Sequence, residues 1–224
     1  MNVRPPSSSA TRTEAQPDLR AQRRATRRAE NRTEILDAAE RVFGDHGARA
    51  GSLREIARLS GFSTAAIYLF FDNKQHLLSE TLTRRAAELV GALQAAADSA
   101  LSPIDQLHRI VDVAVAFFEA HPDFRRLARH ITGGTAIIGP SLGGYADDAD
   151  GHFTKAMTLL AGIVRDGQAA GEIRAGNTYA IAHLYSVLIN EHVLLAAEGD
   201  SNIGPLTDEQ FHALIDGTLR EPTG

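Results

Sequence analysis

Apolar residues recur along most of the chain with the three- and four-residue spacing of an α-helix. From about Asn31 onward, the first apolar stripe contains Ile35, Ala39 and Val42 and ends at Gly47. No stretch alternates between apolar and polar positions for long enough to indicate a β-strand. The pattern therefore predicts an all-α protein of about nine helices.

Two short helices follow the first stripe. Ser52 precedes the first of them, and Glu55 follows three residues later in the pattern of a capping box. Ser60-Gly61 ends that helix, since glycine adopts turn conformations at little cost. The two segments at 53–59 and 64–70 predict a helix-turn-helix, although periodicity alone leaves an ordinary helical hairpin as an alternative.

The rest of the chain predicts further helices, most of them longer. They share an apolar stripe and begin at about residues 74, 103, 122, 152, 178 and 208. Residues 132–151 contain six glycines and one proline, which predicts a long flexible connection.

Charge is distributed unevenly along the 224 residues. Residues 1–85 carry 15 basic against 10 acidic side chains, whereas residues 86–224 carry 8 against 18. A basic N-terminal third favours a polyanionic partner. Residues 1–29 carry seven arginines and no apolar face, which predicts a disordered basic arm. Two interpretations stay open for this arm: a solvated tail, or a segment that lies on DNA phosphates or in a minor groove.

Composition and motifs disfavour an enzyme. The chain has no cysteine, which excludes disulfides, thiol nucleophiles and thiolate zinc sites. The glycines at 133–144 lack the Gly-Lys-Ser/Thr of a phosphate-binding loop, and 147–151 lacks the spacing of a calcium loop. The nine histidines form no His-x-x-x-His pair. We expect no catalytic site, no metal site and no cofactor.

Membrane and secretory classes are also disfavoured. No apolar run approaches the roughly 18 residues of a membrane span, and residues 1–28 lack the apolar core of a secretory signal. The sequence predicts a soluble cytoplasmic protein with no membrane partner.

The most specific motif lies just after the predicted helix-turn-helix. Residues 68–77 read Tyr-x-x-Phe-x-Asn-Lys-x-x-Leu, and with this run the whole of 33–78 resembles the TetR family of transcriptional repressors. The resemblance implies a helix-turn-helix DNA-binding domain at 30–76 and a helical regulatory domain at 77–224 for ligand binding and dimerisation.

The resemblance also implies which residues contact DNA. Small polar residues at the start of the second short helix would let it enter a major groove. Arg54 would reach a base, while the hydroxyl of Tyr68 and the ammonium of Lys74 would bind phosphate. Phe70 departs from the family pattern, because a phenyl ring cannot donate a hydrogen bond to phosphate. The full set is Ser52, Arg54, Ser63, Thr64, Ala65, Tyr68 and Lys74.

The regulatory domain is expected to hold the other two partners. The resemblance implies a homodimer through the helices at about 152–170 and 178–197 that binds a palindromic double-stranded operator. It also implies an unidentified small-molecule effector among the C-terminal helices, although each candidate residue taken singly is better explained as core. The aromatic and polar candidates are Phe117, Phe118, His121, Phe124, His130, Phe153, Tyr185 and Asn190. A helical DNA-binding protein without ligand control remains the main alternative, and an enzyme on a helical scaffold is a weaker one.

Overall fold

The computed structural model describes residues 19–97, 100–132, 149–195 and 206–220. Over these residues the regular secondary structure is entirely helical, which confirms the all-α prediction for this part of the chain. None of the described helices is both long enough and apolar enough to cross a membrane. In chain order the helices are α1 (Leu19–Ala50), α2 (Leu53–Ser60), α3 (Thr64–Ile67), α4 (Lys74–Ala97), α5 (Pro103–Ala120), α6 (Pro122–Thr132), α7 (Ala149–Ala170), α8 (Thr178–Leu195) and α9 (Asp208–Leu219).

Helix α1 begins earlier than expected. It starts at Leu19, so the prediction of a disordered arm is wrong for residues 19–29, while residues 1–18 lie outside the described part. The segment 19–29 consists mainly of alanine, arginine and glutamine, which are strong helix formers. It extends a helix whose later turns are already held by the core, and elongation avoids the cost of nucleation. Residues 19–29 therefore form a helix without an apolar face of their own.

The helix-turn-helix is formed as predicted, with two differences. The Ser52 hydroxyl accepts a hydrogen bond from the Arg54 amide at 3.3 Å, but the expected capping box is incomplete, because the Glu55 carboxylate lies 3.4 Å from His46 Nε2 instead. Helix α3 ends at Ile67 rather than residue 70, since the amides of residues 69 and 70 bond to carbonyls three residues back. The turn between α2 and α3 contains Gly61 at φ 74°, a conformation that favours glycine.

Helix α4 joins the helix-turn-helix to the rest of the chain. Its first turn supplies Leu77 to the core around Phe43 and Ile56, and its later turns pack on α5 and α7. The domain boundary expected between residues 76 and 77 thus falls inside one continuous helix. We call residues 30–76 the head and residues 77–220 the body.

A buried ionic cluster also connects α1 with α4. The Glu40 carboxylate is buried and accepts hydrogen bonds from Arg84 Nη2 at 3.0 Å and Arg85 Nε at 2.7 Å. Burial opposes the charge of Arg85, but hydrogen bonds to Glu40 and Glu88 outweigh it and hold the pKa of Arg85 above its ordinary value. The cluster therefore connects the head with the body through α1 and α4.

The body packs α5 and α7 against α4, with α8 against α7 and α9 against α5. Helix α7 begins at Ala149, three residues before the predicted start, and most of the predicted glycine-rich connection lies outside the described residues. Thr207 caps α9 in a complete capping box with Gln210.

Candidate nucleic-acid interface and cavity

The side chains expected to contact DNA come from the N-terminal ends of α2, α3 and α4 and from the turn after α3. Ser52, Arg54, Ser63, Ala65 and Tyr68 are exposed, whereas Thr64 and Lys74 are half-buried. The first turns of these helices carry backbone amides without intrahelical partners, and a helix-turn-helix presents such helix ends to a groove.

The two serines cap their helices. Ser63 Oγ accepts the Ala66 amide at 3.1 Å, as Ser52 Oγ accepts the Arg54 amide. A hydroxyl has one donor and two acceptor positions, so each cap uses only an acceptor position. The hydroxyl hydrogen can therefore still be donated to a phosphate oxygen.

Lys74 has a structural contact as well as its expected role. Its ammonium donates to the Arg49 carbonyl at 2.7 Å and lies 6.0 Å from the centre of the Phe43 ring. An ammonium has three donors, so two remain for phosphate. Tyr68 is 51% exposed, whereas Ile67 and Phe71 on either side of it in the sequence are buried in the core.

Phe70 is explained by a contact that the sequence did not reveal. The Arg28 guanidinium lies 5.0 Å from the centre of the Phe70 ring and donates to the Leu69 carbonyl at 3.1 Å. The ring also packs edge-on against Phe62 at 6.5 Å between centroids. At the position where the family pattern often has a polar side chain, this chain therefore has a phenyl ring in contact with the Arg28 guanidinium.

The body encloses a small apolar cavity between α4, α5, α7 and α8. Its volume is about 20 Å³, roughly the space of one water molecule. All its lining residues are buried, and only Ser186 and Asn190 are polar. The other lining residues are Leu89, Leu93, Ile110, Ala114, Phe118, Ala156, Met157, Leu160 and Ile189.

Asn190 is the unusual member of this lining. Its side chain is 3% exposed, and its Nδ2 has no hydrogen-bond partner among the described residues. The Ser186 hydroxyl, by contrast, donates to the His183 carbonyl at 2.7 Å. A buried amide donor without a partner is costly, and here it faces a cavity.

Two of the eight predicted effector residues, Phe118 and Asn190, line this cavity. Phe117, His121 and Phe124 form an aromatic cluster with Phe118 where α5 meets α6. The other three are separate: His130 is exposed on α6, Phe153 is half-buried on α7, and the buried Tyr185 donates its hydroxyl to the Leu107 carbonyl.

Burial and then the negative charge of Asp112 raise the pKa of the Tyr185 hydroxyl well above its ordinary value. This group therefore stays protonated and keeps its hydrogen bond to α5.

Helix α8 carries an apolar face that remains exposed among the described residues. Tyr179 is 56% exposed and Leu184 is 63% exposed, with Ala180 and His183 exposed beside them. Two small residues of the helices expected at the dimer interface, Ala156 and Ala182, are buried inside the chain's own core. They face inward because the helical period places them on the side of α7 and α8 that packs within the body.

Sequence reasoning missed most of the cavity lining. Its apolar members come from four helices and look like any core residue in the sequence. The sequence does distinguish Ser186 and Asn190 from the core, since they are polar residues four positions apart in a strongly apolar helix and therefore lie on one side of it. Within the described ranges, no group of three or more His, Cys, Asp or Glu side chains is arranged to hold a metal ion.

The fold and the exposed helix ends define a helix-turn-helix DNA-binding protein. Residues 35–81 match the family model described as "Bacterial regulatory proteins, tetR family". The regulator BetI of Rhizobium meliloti is 34% identical over 191 residues, which cover 75% of this chain and 91% of BetI. The chain belongs to the TetR family of transcriptional regulators.

Two further comparisons agree with this assignment. The repressor KstR2 of Mycolicibacterium smegmatis is 33% identical over 92 residues, and the match spans 41% of this chain but only 43% of KstR2. A tetR-family regulatory protein from Rhodococcus RHA1 has the same fold, with a TM-score of 0.69 at 19% identity over 85% of this chain and 97% of that one. The relatives named here are transcriptional regulators.

Proposed function

We propose that the chain is a transcriptional repressor that binds a palindromic operator as a homodimer and is released by a small-molecule effector. The observation that carries the proposal is the helix-turn-helix with exposed, capped starts of α2 and α3. The residues proposed to contact DNA are Ser52, Arg54, Ser63, Thr64, Ala65, Tyr68 and Lys74. The proposal involves no catalytic step and no cofactor.

The homodimer is proposed on the exposed apolar face of α8. Leu184 and Tyr179 are large apolar side chains in water, and such a face on a regulator is explained by a second copy of the chain. One head contacts few base pairs, and a two-fold dimer doubles the contacts on one side of the duplex. A palindromic operator follows from that symmetry.

The effector is proposed to enter the cavity between α4, α5, α7 and α8. A volume of about 20 Å³ is too small for an organic molecule, so the helices must separate when one binds. The lining is apolar except at Asn190 and Ser186. The fitting effector is therefore mainly apolar, with one hydrogen-bond acceptor for the unpartnered Asn190 amide.

Release follows from the position of α4. Leu89 and Leu93 of this helix line the cavity, while its first turn carries Lys74 in the head. A ligand that separates the body helices therefore favours a different head orientation. A difference of a few kcal/mol in its affinity for the two orientations is enough to empty the operator.

The proposal is tested by selecting duplexes from a random pool with the purified protein at physiological salt. Enrichment of one palindrome, bound by two chains, is the expected result. The recovered duplex is then the probe for a screen of apolar compounds with one acceptor, in which an effector raises the melting temperature and releases DNA.

The small volume of the cavity favours a second candidate, a DNA-binding protein without ligand control. In that case none of the compounds in the screen shifts the melting temperature or the DNA affinity, whether or not a palindrome is recovered. Salt-dependent binding to any duplex, with enrichment of no sequence, would contradict the repressor and support this second candidate.

A further inference from the structure

The N-terminal turns of α1 carry five arginines, Arg20, Arg23, Arg24, Arg27 and Arg28, which we call the arginine ridge. At about 100° per residue, these five positions fall within an arc of about 140° of the helix surface. Residues 19–29 contain no acidic side chain, and all of them are exposed. The ridge is therefore a continuous cationic strip along one side of a helix that no core residue covers.

The ridge is attached to the DNA-reading module. Arg28, at its inner end, donates to the Leu69 carbonyl at 3.1 Å and covers the Phe70 ring at 5.0 Å. Leu69 and Phe70 directly follow Tyr68, which is assigned to a phosphate. A duplex that reaches the start of α3 and Tyr68 therefore passes beside the inner end of the ridge.

Repulsion within the ridge indicates that an anion belongs there. Its arginines are spaced by three and four residues, and like charges at these spacings destabilise a helix. No burial compensates for this, because residues 19–30 are exposed throughout. A row of phosphates alongside would remove the repulsion and release counterions from the DNA.

We propose that the arginine ridge binds the phosphate backbone of the DNA that flanks the operator, in addition to the contacts made by α2, α3 and Lys74. From Arg28 to Leu19 the helix rises by about 14 Å at 1.5 Å per residue. That length corresponds to about four base pairs at 3.4 Å each. The contact is to phosphates only, so it adds affinity without adding base preference.

The test uses the palindrome recovered by selection as its probe, so it rests on the proposed function. The palindrome is prepared with and without flanking DNA. The variant R23Q/R24Q/R27Q removes three charges and leaves Arg28 in place. On the flanked duplex we expect its slope of log affinity against log salt to be shallower by about 2.7 for each bound chain, from 0.9 for each phosphate. The enriched sequence should not change, and on the duplex without flanks the difference from wild type should disappear.

Two controls separate the ridge from net charge and from folding. R109Q/R174Q/R220Q removes three exposed charges from the body and should keep the wild-type slope. R23K/R24K/R27K keeps the charges in the ridge and should also keep the slope, and a melting curve establishes that each variant is folded. Equal slopes for wild type and R23Q/R24Q/R27Q on the flanked duplex would overturn the proposal. If selection recovers no palindrome, the proposed function fails, and the ridge is then judged by the same slopes on a random duplex.

Discussion

In the head, five of the seven side chains assigned to DNA are exposed, whereas in the body every residue that lines the cavity is buried. The head can therefore receive a duplex with little rearrangement. The body can receive a ligand only if α4, α5, α7 and α8 move apart, since a cavity of about 20 Å³ is too small for an organic molecule. Under the proposed function, recognition therefore uses a preformed surface, whereas regulation uses a core that must open.

The two regions are connected through α4, through the Glu40 cluster and through the packing of α1 on α6. Opening the body for a ligand costs packing energy. Helix α4 can transmit the displacement to the head only if α4 stays in contact with α1.

The largest effect is expected at the connection itself. Glu40→Gln removes the buried carboxylate that Arg84 and Arg85 share, while Arg84 keeps Asp37 at 2.8 Å and Arg85 keeps Glu88 at 2.6 Å. We expect the free energy of unfolding to fall by about 3 kcal/mol, the lower end for breaking a buried ion pair. Urea titration measures it. Glu88→Gln is the matched control, because that carboxylate is 43% exposed and contacts Arg85 alone, and it should cost less than about 1 kcal/mol. Equal costs would show that the cluster is not a structural connection.

The next effect is expected at the start of α3. Ala65→Phe places a ring where the backbone must approach base edges, so operator affinity should fall by about 100-fold, equivalent to two lost base contacts. Fluorescence anisotropy with the selected duplex measures the loss. Ala116→Phe, on an exposed position of α5, should bind like wild type. Unchanged affinity in Ala65→Phe would remove α3 from the interface.

A smaller effect is expected in the cavity. Asn190→Leu replaces the unpartnered amide with an apolar side chain of similar size, so the free energy of unfolding should rise by about 1 kcal/mol. The same variant should lose its response to any effector found in the screen, since the one donor is gone. A less stable variant would mean that the Asn190 amide is satisfied in the folded protein.

The smallest effect is expected at Lys74. Lys74→Ala should weaken binding to all duplexes alike and reduce the salt slope by about 0.9 for each chain. Some stability is also lost, because the ammonium bonds the Arg49 carbonyl. Arg109→Ala, an exposed body position, is the control for charge. A changed base preference would show that Lys74 reads sequence instead of phosphate.

The head could be predicted from the sequence more completely than the cavity, and the reason is physical. The head depends on local signals: Ser52 and Ser63 cap helices, Gly61 takes a positive φ, and 68–77 is one continuous motif. The cavity depends on packing between four helices that are distant in sequence. Phe118 and Asn190 were predicted, but Met157 and Ala114 were indistinguishable from other core residues.

The start of α1 was mispredicted for a different reason. Without an apolar face, residues 19–29 gave no periodic signal, and only the continuation of a helix anchored at Ile35 explains their conformation. The contact between Arg28 and Phe70 spans more than forty residues, so a sequence pattern could not indicate it.

The most direct test of the account is a selection from random duplexes, run in parallel with wild type and with Arg54→Ala. Wild type should enrich one palindrome. Arg54→Ala should enrich the same palindrome with one symmetry-related pair of positions degenerate, a loss of about 1–3 kcal/mol of discrimination at that base. A wild-type protein that is folded and dimeric but enriches no sequence would contradict the claim that the head reads an operator.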